Sequence, residues 1–187
     1  MNTLACMRAC SSRPFYMRLI FLLPCIALAA GARGQSVAML NVSLYNERAN
    51  VKESTDSAKA ALATDKLRDT LSRLPGVRLI DAARTAAAEA SPPALSAAAG
   101  QPCNVIVACA RAVGRALGAQ WVVMGKVSKT SNLIWLFSGE LINVETGKML
   151  LDDDCELKGD PNVMVPAGVG LFANRIDKRV TATAVAK

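Results

Sequence analysis

The chain has 187 residues and a formal net charge of +7, enough for one ordinary domain with a sizeable core. It contains no histidine, which excludes the Ser-His-Asp triad, the commonest general base and most zinc centres. Its basic residues are scattered rather than run together and aromatics are few, which argues against a nucleic-acid partner.

The first segment reads as a secretory leader. Arg8, Arg13 and Arg18 precede an apolar run over 19–30, and Ala30-Gly31-Ala32 provides the small-residue cleavage pattern. We therefore expect residues 1–32 to be a signal peptide and residues 33–180 a single α/β domain exported to the periplasm. The apolar run is short for a membrane span, so no stable span is expected after cleavage. Cys25 lies inside the apolar run and not after small residues, which argues against lipidation. Cleavage removes three arginines and no acids, so the +7 falls to +4, the charge of a soluble surface.

Residues 36–45 alternate as a strand, with Val37, Met39, Ser43 and Tyr45 on one face and Ala38, Leu40, Val42 and Leu44 on the other. Asn41-Val42-Ser43 is a formal glycosylation sequon, but a mid-strand position makes it a chance match. A helix follows over 55–74, with Thr55 or Ser54 as cap and Asp56 near the positive end of its dipole. Ala60, Ala63, Leu67, Leu71 and Leu74 form its apolar stripe, and Pro75-Gly76 stops it. Residues 77–81 form a short strand, so strand, helix and strand predict a parallel pair. Residues 83–102 are Ala-rich and interrupted by Pro92-Pro93. They predict a helical turn and then an excursion with little core.

A helix over 105–117 carries Ile106, Ala110, Val113 and Leu117 on its stripe, with Arg111 and Arg115 as solvated charges. Gly118 ends it. The most sheet-like stretch is 120–156: three strand runs, 120–129, 133–144 and one from 149, joined by turns at 130–132 and 145–148, the second with Gly147 able to take a positive φ. Gly159-Asp160-Pro161 breaks the third strand, a last helix spans 162–180, and 181–187 is a frayed tail. The fold class is thus α/β: a mixed sheet with a strand-helix-strand unit and a three-stranded meander, helices packed on it.

Candidate sites are few. Cys103, Cys109 and Cys155 remain after cleavage, in a compartment where disulfides persist, and allow three pairings. A Cys103–Cys109 bridge requires Cys103 in the loop before the helix, which Gln101-Pro102 permits. The same pair as a thiol redox site lacks the C-x-x-C spacing. Asp152, Asp154 and Glu156 can converge on one face of a strand, but one strand supplies too few ligands for calcium, and a charged strand edge that resists aggregation explains them. Gly168-Val169-Gly170 lacks the strand and third glycine of a phosphate loop. Trp121 and Trp135 could line a ligand groove, but Trp135 sits among Leu133, Ile134, Leu136 and Phe137, which favours core packing. No catalytic residue, cofactor or metal is assigned.

The sequence from Cys109 through A-R-A-V-G-R-A-L-G-A, then V-V-M-G-K-V-S-K-T-S-N-L-I, V-E-T-G-K and K-G-D, resembles a family of predicted secreted bacterial proteins of unknown function. That family's fold is similar to the amino-terminal domain of TolB and to the curli-assembly protein CsgG. The resemblance covers about 37–176, and S-K-T-S-N-L-I is its most specific part. Where the family has C-x-x-C before its helix, this chain has five residues between the cysteines. The resemblance implies a Gram-negative, periplasmic protein with no established activity, and by analogy a role in envelope assembly and protein contact.

Together these readings predict a non-enzymatic accessory or binding protein whose partner is an unknown periplasmic or envelope protein. A thiol redox protein using Cys103 and Cys109, and a protein binding a small molecule or metal, are the alternatives. The partner contact is expected at the hairpin tip Lys129, Thr130, Ser131 and Asn132, with Lys129 and Asn132 exposed and Asn132 able to take a left-handed turn position.

Overall fold

The computed structural model describes residues 34–45 and 53–185. The predicted leader lies outside the described residues. The elements in chain order are β1 (Gln35–Met39), β2 (Ser43–Leu44), α1 (Asp56–Ser72), β3 (Val77–Leu79), α2 (Ala82–Glu89), α3 (Pro92–Ala98), a 3-10 turn (Cys103–Val105), α4 (Val107–Ala116), β4 (Trp121–Lys129), β5 (Ile134–Asn143), β6 (Met149–Lys158) and α5 (Pro161–Val185). The sheet is mixed and six-stranded, ordered β3-β1-β4-β5-β6, with β2 also on β4. β1 is parallel to β3 and β4, and β4-β5-β6 is the antiparallel meander.

Two apolar layers sandwich this sheet. On one face α1 and α5 bring Leu67, Leu71, Val165, Val169, Phe172 and Ile176 onto Trp121, Trp135, Phe137 and Leu141. Phe172 meets Phe137 edge to face at 5.5 Å, an arrangement that suits the ring quadrupoles. A Cβ on Gly139 would lie 2.6 Å from the Phe172 ring, so the glycine lets α5 settle on the sheet. Gly168, too, is a packing residue: a Cβ there would meet Leu157 at 2.7 Å. On the other face α2, α3 and α4 set Ala88, Ala94, Ala98, Cys109 and Val113 on Ala38, Leu40, Val122, Met124 and Ile142.

Several sequence expectations change. The strand predicted over 36–45 is broken. Met39 pairs with Val123 but Ser43 with Lys126, so four steps on one strand oppose three on its neighbour. This is a bulge of one extra residue, and it reverses the alternation: Val42 and Leu44 join the face of Val37 and Met39. The displaced Val42 N–H donates to Thr64 Oγ1 at 2.9 Å, so this donor is not stranded. Asn41 at the bulge is exposed; its side-chain oxygen accepts from Arg68 and its carbonyl from Asn104.

The Ala-rich stretch is two ordered helices with core contacts, not an excursion. Asp81 caps α2 by accepting from the N–H groups of Ala83 and Arg84. Pro92 stands in the first turn of α3, where its missing N–H is harmless and its fixed φ is helical. The proline pair starts a helix here instead of breaking one. Arg111 is half-buried rather than solvated, and donates to the carbonyls of Val144 and Glu145, bracing the turn in which Gly147 takes φ +75°. The last helix extends to Val185, past the predicted end at 180.

Candidate functional site

The β4–β5 tip is built on a buried charge. β4 carries its alternation to the end of the strand, so Lys129 points to the α1–α5 side with Val127. It is 5% exposed, which corrects the expectation of an exposed lysine. Its Nζ donates to Glu53 Oε1 and Asp56 Oδ1, each at 3.1 Å, and sits 5.8 Å over the Trp135 ring. Burial works to lower the pKa of this ammonium; the bonds to Glu53 and Asp56, with their charges, outweigh it and hold the pKa above the ordinary lysine value. Asp56, 3% exposed, is therefore more than a dipole-facing residue. It also accepts from the Glu53 N–H at 3.0 Å, while Thr55 makes no side-chain cap bond.

Beyond Lys129 the turn is closed by Ser131. Its Oγ accepts from the N–H groups of Leu133 and Ile134, and the N–H groups of Thr130 and Ser131 both donate to the Ile134 carbonyl. Asn132 does not take the left-handed conformation assigned to it, since Ala99 is the non-glycine residue with positive φ among the described residues. Serine closure leaves Thr130, Asn132 and Leu133 outward, and Leu133 is 69% exposed. The apolar Leu133 was overlooked in the sequence because it reads as the first residue of β5.

From the tip an open polar floor extends along the sheet face opposite Lys129. Tyr45, Lys126, Ser128, Leu136, Ser138 and Asp154 line a shallow cavity of about 390 Å³. Lys126 lies 5.8 Å from the Tyr45 ring, a cation–π distance. At the inner end Glu140 and Asn104 face a smaller cavity, and Glu140 Oε2 and Asn104 Oδ1 are buried without a hydrogen-bond partner in the protein. Burial, then the charge of Asp152, pushes the Glu140 pKa up; Lys126 opposes and Asp154 adds. Glu140 was not singled out in the sequence, because only register reveals that Asp152 stands directly across from it.

Cys103 and Cys109 are bridged, and Cys155 is the free cysteine of the described residues. Cys103 lies in the 3-10 turn before α4, as the spacing required, and Cys109 is fully buried. The bridge lies in the second apolar layer, on the face of the sheet opposite Lys129. Asp152, Asp154 and Glu156 are exposed along β6, and Asp153 on the opposite face pairs with Arg175 at 2.9 Å. Among the described residues no group of three potential ligands is placed to hold a metal ion, and no helix is long and apolar enough to cross a membrane.

The sequence model of the DUF3280 family, described as a protein of unknown function (DUF2380), matches residues 35–176. No curated protein matches the chain. Among solved structures, the hypothetical protein CT253 from Chlamydia trachomatis is similar over 80% of this chain and 99% of its own, at 13% identity and a TM-score of 0.50. The LpoB C-terminal domain from Escherichia coli is similar over 71% and 89%, at 20% identity and 0.48. TolB from Acinetobacter baumannii is similar over 80% of this chain and 29% of its own, at 14% identity and 0.47. The likeness to CT253 is one of fold.

Proposed function

The chain belongs to the DUF3280 family of proteins of unknown function, and from that premise we propose that it is an exported, non-enzymatic accessory protein of the cell envelope that binds another protein through the β4–β5 tip. The observation that carries this reading is the division of labour within the tip. Ser131 and the backbone close the turn, and Lys129 anchors it to the start of α1. Thr130, Asn132 and Leu133 stand exposed and contribute no hydrogen bond from their side chains among the described residues. Leu133, 69% exposed, gives these polar neighbours an apolar contact to offer a partner's surface. Lys129 and Ser131 then serve as positioning residues, with Thr130, Asn132 and Leu133 as the contact. The leader pattern over 1–32 supports export to the periplasm.

A photocrosslinking side chain at position 132, compared with one at exposed Lys178, tests the contact in intact cells. A partner captured from 132 alone, and lost with Leu133→Ser at unchanged melting temperature, is the expected result. Equal capture from both positions removes the assignment. Amino-terminal sequencing of fractionated cells should give a periplasmic chain beginning at Arg33; a chain retaining Met1 in the membrane fraction removes the export reading.

A further inference from the structure

We propose that the outer edge of β6 accepts an added strand from a partner protein, an extended segment in which basic residues alternate with apolar ones. This surface is separate from the tip, and the inference stands or falls independently of it. Among the described residues no strand pairs with β6 on the side away from β5. The edge runs for ten residues, Met149–Lys158, whereas natural sheets usually keep exposed edges short or covered.

The two faces of this edge differ in chemistry. On one, Asp152, Asp154 and Glu156 are exposed, with Glu140 across from Asp152 on β5. On the other, α5 follows the strand. Met164 approaches Gly159, Gly168 rests on Leu157 and Cys155, and Arg175 pairs with Asp153. Residues 164, 168, 171 and 175 are spaced by four, three and four, so they form one stripe along the helix. Leu171, on that stripe between Gly168 and Arg175, is 59% exposed and offers an apolar shelf beside the edge.

Charge selects the occupant. A second copy of β6 would bring its own carboxylates against Asp152, Asp154 and Glu156, and like charges on neighbouring strands repel. Lys158 lies 3.6 Å from Glu156, while Asp152 and Asp154 have no ion pair among the described residues. A strand with Lys or Arg at every second position sets cations beside these carboxylates. Its intervening side chains, by the period of two, then face Leu171 and Met164. A purely protective acidic edge would bind no such segment in register.

The test uses the purified chain and two synthetic peptides of one composition, KVKLKVK and KKKKVLV. Calorimetry should show the alternating peptide binding at least ~10-fold more tightly than the block peptide, with amide exchange slowed across β6 and not elsewhere. Asp154→Lys and Leu171→Ser, both at exposed positions, should each weaken the alternating peptide by about tenfold at unchanged melting temperature. Equal affinity for the two peptides, protection outside β6, or no binding would each overturn the proposal.

Discussion

A lysine with 5% of its surface exposed stays charged in a protein interior only when its ammonium is paired. Lys129 meets this condition through Asp56 and Glu53, and the physics of such pairs sets the outcome of substitution. Removing one partner strands the other, whereas replacing both by apolar groups is often neutral. Asp56→Ala should therefore lower the melting temperature by more than about 5 °C, and adding Lys129→Met should restore most of it. Thermal denaturation of the single and double variants checks this; additive losses would show that the two side chains do not act as a pair. Glu140 behaves in the opposite sense. Its pKa is raised in the fold by burial and then by Asp152, so at pH values between the ordinary carboxylate pKa and the raised one the folded state holds a proton that the unfolded chain has released. Its contribution is fully present below the ordinary carboxylate pKa and is lost as pH rises through the raised value. Glu140→Gln should flatten this fall and raise the melting temperature at neutral pH. A pH series of melts in which the two proteins run parallel would contradict it.

Among the elements, the boundaries that sequence reading missed are those set by partners distant in the chain. The meander was legible because its strands are long and β-rich and its turns polar. The bulge after Met39 was not, because the Val42 N–H is satisfied by Thr64 of α1, a contact with no trace in local alternation. The Ala-rich helices were misread because their small side chains are core residues only where Val113, Met124 and Ile142 close over them. Pro92-Pro93 reads as a breaker, yet the pair occupies the first turn of α3, where the missing N–H groups are not needed. At the tip, the specific motif was visible, but Lys129 was turned inward by Asp56, 73 residues away. The Cys103–Cys109 bridge was one of three pairings on paper and is settled by the 3-10 turn that precedes α4. It spans a sequence separation of 6, so loop closure gives about 2 kcal/mol. Replacing both cysteines by serine should lower the melting temperature by about 4–8 °C, as differential scanning calorimetry would show. An unchanged melt would mean that the packing of α4 alone fixes the loop.

At the scale of the whole molecule, the sheet is shared by two layers of unequal strength. The α1–α5 layer buries Leu, Phe and Trp side chains, whereas the helices of the α2–α4 layer contribute mostly Ala. Burial free energy follows apolar area, about 25 cal/mol per Å², so the second layer holds its helices less firmly. The strands cannot separate along this division, because Val37 and Met39 face one layer while Ala38, on the same strand, and Leu40 just after it face the other. Global unfolding should therefore be one cooperative event, while α2 and α3 open locally without it. Their lighter cover places them at the low end of the range of opening free energies. Amide exchange should show α2 and α3 exchanging at least ~10-fold faster than β4 and β5, and reduction of the bridge should speed them further, since the 3-10 turn and α4 pack against α3. Uniform protection across both layers would mean instead that the alanine layer is as tightly coupled to the sheet as α1 and α5. The disulfide would then add to global stability without restraining any local opening.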